Sequence, residues 1–443
     1  MTSITKKSKP PKIFIGWWTV LGGGTIALWA AGFYVYGISA LFKPISAELG
    51  FSRLAVSGAA SIGRFEGGFE GLIAGWITDK YGPRWPIILG VLSVATALIL
   101  MNFVDSLWAF YVVWGVFMGT GHNLANGVPT DTAVANWFVK KRGAAQGVKW
   151  VLAGLSGMLV LPLIAWLIET QGWRMTCIIG GISMAAIGIP LAWFSIRRHR
   201  PEYYGLLPDG AALDEKSTDT AQVIEKGVQY AEEVKEIEFT MKQAFKTPTL
   251  WLLLLVQSVH GLVAPIMSIH CIPFLTDRGI EPLMAAGMMA IMVTCSVPTR
   301  FVVGLIADRI RKDRLRFLMG TVYLLQASGF IVFLLNQTLS MIYVWFVLYG
   351  IGLGAGFIIS PLIMARYFGR KAYGSIRGTA MMIMTPIGII APLYVGWIYD
   401  STGSYINALF ISVITLSAAA IIASFIPPAK PPAEITGIHE SLS

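Results

Sequence analysis

Twelve apolar runs, each long enough to cross a bilayer, constrain this 443-residue chain more than any other feature. Six fall at about 15–42, 54–78, 85–104, 107–136, 143–168 and 174–196. Six more fall at about 249–276, 282–306, 315–335, 338–366, 374–398 and 404–426. A helix needs about 20 residues to span the hydrocarbon core. Only a helix or a closed barrel satisfies its own backbone there. The spacing therefore predicts an all-α membrane protein with twelve transmembrane helices. Composition agrees, because 55% of the residues are hydrophobic and only 13% are charged. Soluble folds are excluded. The apolar run from Ile13 is too long for a signal-peptide core and lacks a small-residue cleavage site, so it reads as the first span.

The net charge of +10 does not point to nucleic acid, because the cations sit in short segments between apolar runs. With the N-terminus inside, 27 Lys and Arg fall on the cytoplasmic side and four (Lys43, Arg53, Arg174, Arg278) outside. That asymmetry predicts that both termini and the polar stretch 197–247 are cytoplasmic. The expected organisation is a bundle over 1–196, a cytoplasmic central loop over 197–247, a second bundle over 248–426, and a disordered cytoplasmic tail over 427–443. Cys177, Cys271 and Cys295 have no ligand-like spacing, so no metal, cofactor or disulfide framework is expected.

The two halves repeat. GWITDKYGPR (75–84) follows the second run and GLIADRIRKDR (304–314) the eighth, with Asp79 and Asp308 229 residues apart. WFVKKRGAAQG (137–147) and YFGRKAYGSIRG (367–378) form a second pair. Aligning Arg142-Gly143 on Arg377-Gly378 gives an offset of 235 and pairs Lys149 with Met384. Repeated halves are what alternating-access carriers use.

At these loops the sequence resembles the major facilitator superfamily. Gly75, Asp79, Gly82 and Arg84 fit its signature after helix 2, and Gly304, Asp308 and Arg309 form the second copy. The resemblance implies two pseudo-symmetric six-helix bundles. Charges at helix ends would then lock neighbouring helices in one state, with Asp131 as the acidic partner of Arg84. The competing reading is that these charges only set topology and packing. Within the superfamily the chain is similar to the monocarboxylate and oxalate/formate carriers. FIGWWTV (14–20), WFVKKRGAAQG, and Arg300 within VPTRFVVGLIADR (297–309) carry this likeness. The likeness places Arg300 where that group binds substrate carboxylate. Ser296 stands where animal members carry an aspartate, and no lysine occurs between Gly378 and Tyr399, where oxalate carriers place one. RFEGG (64–68), RPEYYGLLPDG (200–210) and IHCIPFLTDRGI (269–280) resemble a recurrent group of prokaryotic carriers, which implies a prokaryotic cytoplasmic membrane.

An ionisable side chain at bilayer depth costs about 2.5–3.5 kcal/mol, so it needs a partner or a cavity. Arg64, Glu66 and Glu70 lie in the second run and read either as a fastening ion-pair set or as a proton-coupling or gating group. Lys149 either snorkels to the inner surface or supplies a second substrate-binding cation. In this superfamily helices 1, 4, 7 and 10 usually line the cavity, which makes Tyr34, Tyr36, Asn123, Asn126 and His260 lining candidates. Arg300 lies eight residues before Asp308, roughly 12 Å inside the helix end. No acidic residue occurs between Leu283 and Ala307 to neutralise it. It binds substrate carboxylate, or it pairs permanently with Glu66, Glu70 or Asp131.

The expected function is secondary transport of a small organic anion, a monocarboxylate, with proton symport, by a monomer. A drug or hydrophobic-compound efflux carrier and an anion exchanger are the alternatives. An enzyme is not expected, since HExxH, GxSxG and phosphate-binding loops are absent from the sequence.

Overall fold

The computed structural model describes residues 14–51, 53–213, 220–233 and 236–430. The described residues contain helices and no strand. Joined across local interruptions, the helices form twelve rods. α1 runs from Gly16–Ala31 through a π-helical turn, Gly32–Gly37, into Ile38–Leu49. α2 is Arg53–Tyr81 and α3 is Arg84–Leu100. α4 joins Leu107–Phe110, the π-helical Tyr111–Met118, Gly119–Asn126 and Val128–Trp137. α5 (142–171) and α6 (173–195) meet at Gly172, whose φ of 77° breaks the helix in a conformation that only glycine adopts without strain. α7 joins Pro248–Pro265, the π-helical Ile266–His270 and Cys271–Thr276. α8 is Pro282–Arg309, α9 Leu315–Leu335, α10 Leu339–Phe368, α11 Tyr373–Thr402 and α12 Ile406–Phe425.

Eight segments among the described residues are long and apolar enough to cross a membrane. One of them, Arg142–Ser195, holds both α5 and α6. α2, α4 and α7 fall short of that test. In α4 the polar stretch GTGHNLAN and a break at Gly127 interrupt the apolar run, whereas in α2 and α7 the described residues form only shorter stretches, 65–81 and Pro248–Ala264. The outward faces of other rods expose large apolar side chains, among them Phe194, Leu335, Leu393, Trp397 and Phe425. Such a surface suits lipid and not water.

α1 packs on α4, α5 and α6, while α9 packs on α10 and α12. The two halves meet along two seams, α2 against α11 and α5 against α8. Small residues make both seams. A Cβ on Gly71 would meet Gly378, and one on Gly75 would meet the carbonyl of Gly374. Across the other seam Gly143 stands against Gly304, and Gly147 against the backbone of Arg300. In lipid, close backbone approach replaces the hydrophobic drive that packs helices in water.

The stretch 197–247, expected as a loop, is folded. It contains 3-10 turns at Pro201–Tyr204 and Pro208–Gly210, and helices at Thr220–Glu232 and Met241–Phe245. DEKSTD (214–219) and the tail beyond 430 lie outside the described residues.

Candidate transport site and gate

One end of the molecule, called basal here, carries Asp79, Asp308 and the central stretch. There the two halves are tied by two equivalent caps. Asp79 at the end of α2 accepts hydrogen bonds from the backbone N–H of Gly374 (2.9 Å) and Ser375 (2.7 Å), in the first turn of α11. Asp308 at the end of α8 accepts from Gly143 (2.6 Å) and Ala144 (2.7 Å), in the first turn of α5, and Arg366 lies 3.3 Å from it. A carboxylate at a helix N-terminus meets unpaired N–H groups and the positive end of the dipole. Gly75 and Gly304 permit the approach, and Gly82 turns the chain with φ 86° beside the carbonyl of Arg198. Arg309 is exposed.

These caps reset the repeat. Gly143 matches Gly374 and Gly147 matches Gly378, an offset of 231 rather than 235. The shared G-[AS]-x-x-G pattern fixes the register, and the Arg-Gly dipeptide misplaces it by one helical turn. Lys149 therefore corresponds to Ala380, not Met384, while Gln146 corresponds to Arg377.

The expected pairing of Asp131 with Arg84 does not occur. Arg84 donates through Nε to the carbonyl of Ile196 (2.6 Å) and lies over Trp193. Asp131 is buried in α4 and faces α5, where Lys149 Nζ is 3.1 Å away. Lys149 also donates to the carbonyl of Asn126 (2.8 Å) and sits 3.9 Å from the Trp150 ring centroid. Its side chain is 0% exposed, so it neither snorkels nor stands free for a ligand.

The central stretch stitches the basal end. Glu236 contacts Arg142 of α5 (3.0 Å) and Arg370, between α10 and α11 (3.4 Å). Arg370 also pairs with Glu202 (3.0 Å), and Arg200 pairs with Glu238 (2.7 Å). The Asp209 carboxylate accepts from the backbone of Val139, Lys140 and Lys141 and from the Tyr230 hydroxyl. Burial first, and Asp209 second, push the Tyr230 hydroxyl up, so it stays a donor. No local pattern reveals Glu202 and Glu236, because their partners lie far away in sequence.

Inside the first half, Glu66 accepts from Thr120 (2.5 Å) and Glu70 from Asn123 (3.2 Å), a ladder between α2 and α4. The second oxygen of each carboxylate is buried without a hydrogen-bond partner. Neither glutamate pairs with a cation among the described residues. The Arg64 side chain lies outside the described residues. Tyr34 stacks on His122, with centroids 4.8 Å apart, and on Trp114. The Oδ1 of Asn126 is buried and unpartnered.

The second half contains a cavity of about 330 Å³ lined by α7, α9, α10 and α11, with Trp150 of α5 at its edge. His260 lines it, as do Gln257, Ser360, Phe357 and Arg377. Arg300 contacts both members of the Trp150–Phe357 stack. It donates to the carbonyl of Trp150 (2.7 Å), and its guanidinium is 4.6 Å from the Phe357 ring centroid. It is 5% exposed and has no carboxylate partner among the described residues; Glu66, Glu70 and Asp131 are engaged elsewhere. Arg377 is the residue that sequence reasoning missed, having counted it as a loop cation. The corrected repeat places it one turn inside α11, which is the signal that finds it.

A pair of helical halves, tied at one end by matched caps and holding cations without a carboxylate partner among the described residues, suits a carrier. Comparison agrees. The chain is 24% identical over 345 residues to monocarboxylate transporter 12 of Xenopus laevis, covering 77% of this chain and 73% of that one. It is 26% identical over 379 residues to the probable sulfoacetate transporter SauU of Cupriavidus necator, covering 81% of each. The solved proton:xylose symporter XylE shares its fold, with a TM-score of 0.66 at 11% identity, over 94% of this chain and 96% of that one. Residues 24–392 match the family described as Major Facilitator Superfamily, and the chain, an all-α integral membrane transporter and not an enzyme, belongs to it.

Proposed function

We propose that this transporter moves a small organic anion by alternating access between its two bundles, 1–196 and 248–426, with a carboxylate of the cargo held by Arg300. A monocarboxylate is the simplest cargo that this single fork accommodates. Twelve spans, cytoplasmic termini and a cytoplasmic basal end complete the reading. The cation asymmetry supports it. The protein works as a monomer in a prokaryotic cytoplasmic membrane, and a proton travels with the anion through the ladder of Glu66 and Glu70.

One observation carries the reading. A guanidinium that is 5% exposed, with no carboxylate partner among the described residues and its Nε without an acceptor, is a buried charge awaiting a counter-charge. Its planar fork matches a carboxylate with two charge-assisted hydrogen bonds. Tyr34, Asn123, Asn126 and His260 shape the path, and Lys149 holds α5 to α4 through Asp131 beside it. The same charge disfavours cationic drugs as cargo.

Calorimetric titration of the purified protein with small carboxylates tests this. Arg300→Lys keeps the charge but loses the fork, so affinity falls at least about tenfold, or ~1.4 kcal/mol. Arg300→Ala folds and binds no carboxylate. Near-normal affinity in the Ala variant removes Arg300 from the site.

A further inference from the structure

A second cavity, also of about 330 Å³, lies at the basal end and is built by both halves. α2 and Asn136 of α4 line it from the first half, and Arg370 and Lys371 from the second. The central stretch closes it with the turn after α6 and with Ile224 and Val228 of the helix Thr220–Glu232. The carboxylates of this cavity are already matched. Asp79 caps α11, Glu202 pairs with Arg370, and Glu238 pairs with Arg200. Three lining cations are left over. Lys80, Arg198 and Lys371 are exposed and have no carboxylate partner among the described residues. Arg198 commits only its Nε, to the carbonyl of Tyr81 (3.1 Å).

The deeper lining has the opposite need. Arg370 Nη1 donates to Glu202 Oε1 (3.0 Å) and to the carbonyl of Asn136 (3.2 Å), which brings those two residues together. Glu202 is 3% exposed, yet its Oε2 is buried without a donor, and so is Asn136 Oδ1. A buried acceptor left unpaired costs about 1–3 kcal/mol, and more when charged. These two oxygens call for hydroxyl or amino hydrogens. A third feature is a ring surface. Tyr203 is 55% exposed, with its ring 5.1 Å from that of His199, and both line the same cavity. Cations at the rim, acceptors below and an exposed aromatic face suit a phosphate, a hydroxylated body and a planar ring.

We infer that the basal cavity is a regulatory site for a nucleoside monophosphate, separate from the cargo path. The phosphate sits among Lys80, Arg198 and Lys371, and its charge of about −1.5 to −2 matches their surplus. The ribose hydroxyls donate to Glu202 Oε2 and Asn136 Oδ1, and the base stacks on Tyr203. The cavity is large enough for a small ligand of this kind. Lys80 and Lys371 belong to opposite halves, so the bound molecule touches both. A ligand that makes its contacts only when the halves meet favours the closed basal state and slows the cycle. The inference holds whatever the cargo is.

The test is calorimetric titration of the full-length protein in phosphatidylcholine nanodiscs at low salt. The probes are AMP, adenosine and ribose 5-phosphate. One AMP should bind per protein, at least about tenfold more tightly than adenosine and about threefold more tightly than ribose 5-phosphate. Lys80→Gln and Lys371→Gln, both changes at exposed positions, should each weaken AMP at least about threefold. The Lys371 variant matters most, because a site confined to the first half would not respond to it. No AMP binding, adenosine as tight as AMP, or AMP affinity unchanged in either lysine variant would overturn the inference. Ribose 5-phosphate as tight as AMP would overturn the nucleotide class. A phospholipid headgroup carries related chemistry, so the titration is repeated in phosphatidylethanolamine nanodiscs. AMP affinity should stay within about twofold there; its loss would give the cavity to the lipid and overturn the nucleotide site.

Discussion

Replacing Glu236 by Gln should loosen the basal end of the transporter. Among the described residues, Glu236 is the one carboxylate in contact with cations from both halves, Arg142 at 3.0 Å and Arg370 at 3.4 Å, with all three side chains at most 1% exposed. Breaking a buried ion pair by removing one partner costs about 3–5 kcal/mol. Here the loss is partly offset. Arg370 keeps Glu202 at 3.0 Å, and Arg142 keeps the carbonyls of Phe138 (2.8 Å) and Ala135 (3.2 Å). A residual of about 2 kcal/mol against the closed basal state is reasonable, a roughly 30-fold shift in the open-to-closed ratio. Spin labels at the exposed positions Lys80 and Lys371, on opposite halves, report the separation by pulsed electron resonance. The variant should gain a long-distance population that wild type lacks. An unchanged distance distribution in a folded Glu236→Gln protein would refute the idea that the central stretch clamps the two halves.

The caps should behave similarly. Asp79→Asn and Asp308→Asn each weaken two charge-assisted bonds, and the double variant should open the same label pair further than either single change. Glu66→Gln and Glu70→Gln should abolish accumulation driven by a proton gradient while sparing exchange; gradient-driven uptake at wild-type levels in both variants would make the ladder structural. Lys149→Met alone strands a buried Asp131 and should lower stability by about 3–5 kcal/mol, whereas Lys149→Met with Asp131→Leu should recover most of it, read as the melting temperature.

Much of the fold is legible along the chain because lipid imposes it. Runs of about 20 apolar residues and the placement of Lys and Arg follow from the bilayer alone, so the rods and their repeat emerge without tertiary knowledge. The π-turns in α1, α4 and α7 leave no periodic mark, because each arises from a local shift in helical pairing that hydropathy does not sense. The site was half legible. Arg300 stands out because no nearby acid accompanies it. The partner of Asp131 does not, since the choice between Arg84 and Lys149 depends on which face of α4 meets α5. Arg377 was hidden by its position near a helix end, where a cation ordinarily serves topology. The central stretch reads as a loop along the chain because its buried acids are polar in sequence, and only contacts such as Arg370–Glu202 reveal that they are covered.

Counterflow in proteoliposomes tests the central claim most directly. Vesicles loaded with an unlabelled small carboxylate and diluted into the labelled form should show a transient overshoot of label with wild-type protein. Arg300→Ala vesicles of equal protein content should show none. Wild-type vesicles that never exceed the protein-free leak for any small mono- or dicarboxylate, or Arg300→Ala vesicles that overshoot normally, would contradict an anion carrier centred on Arg300.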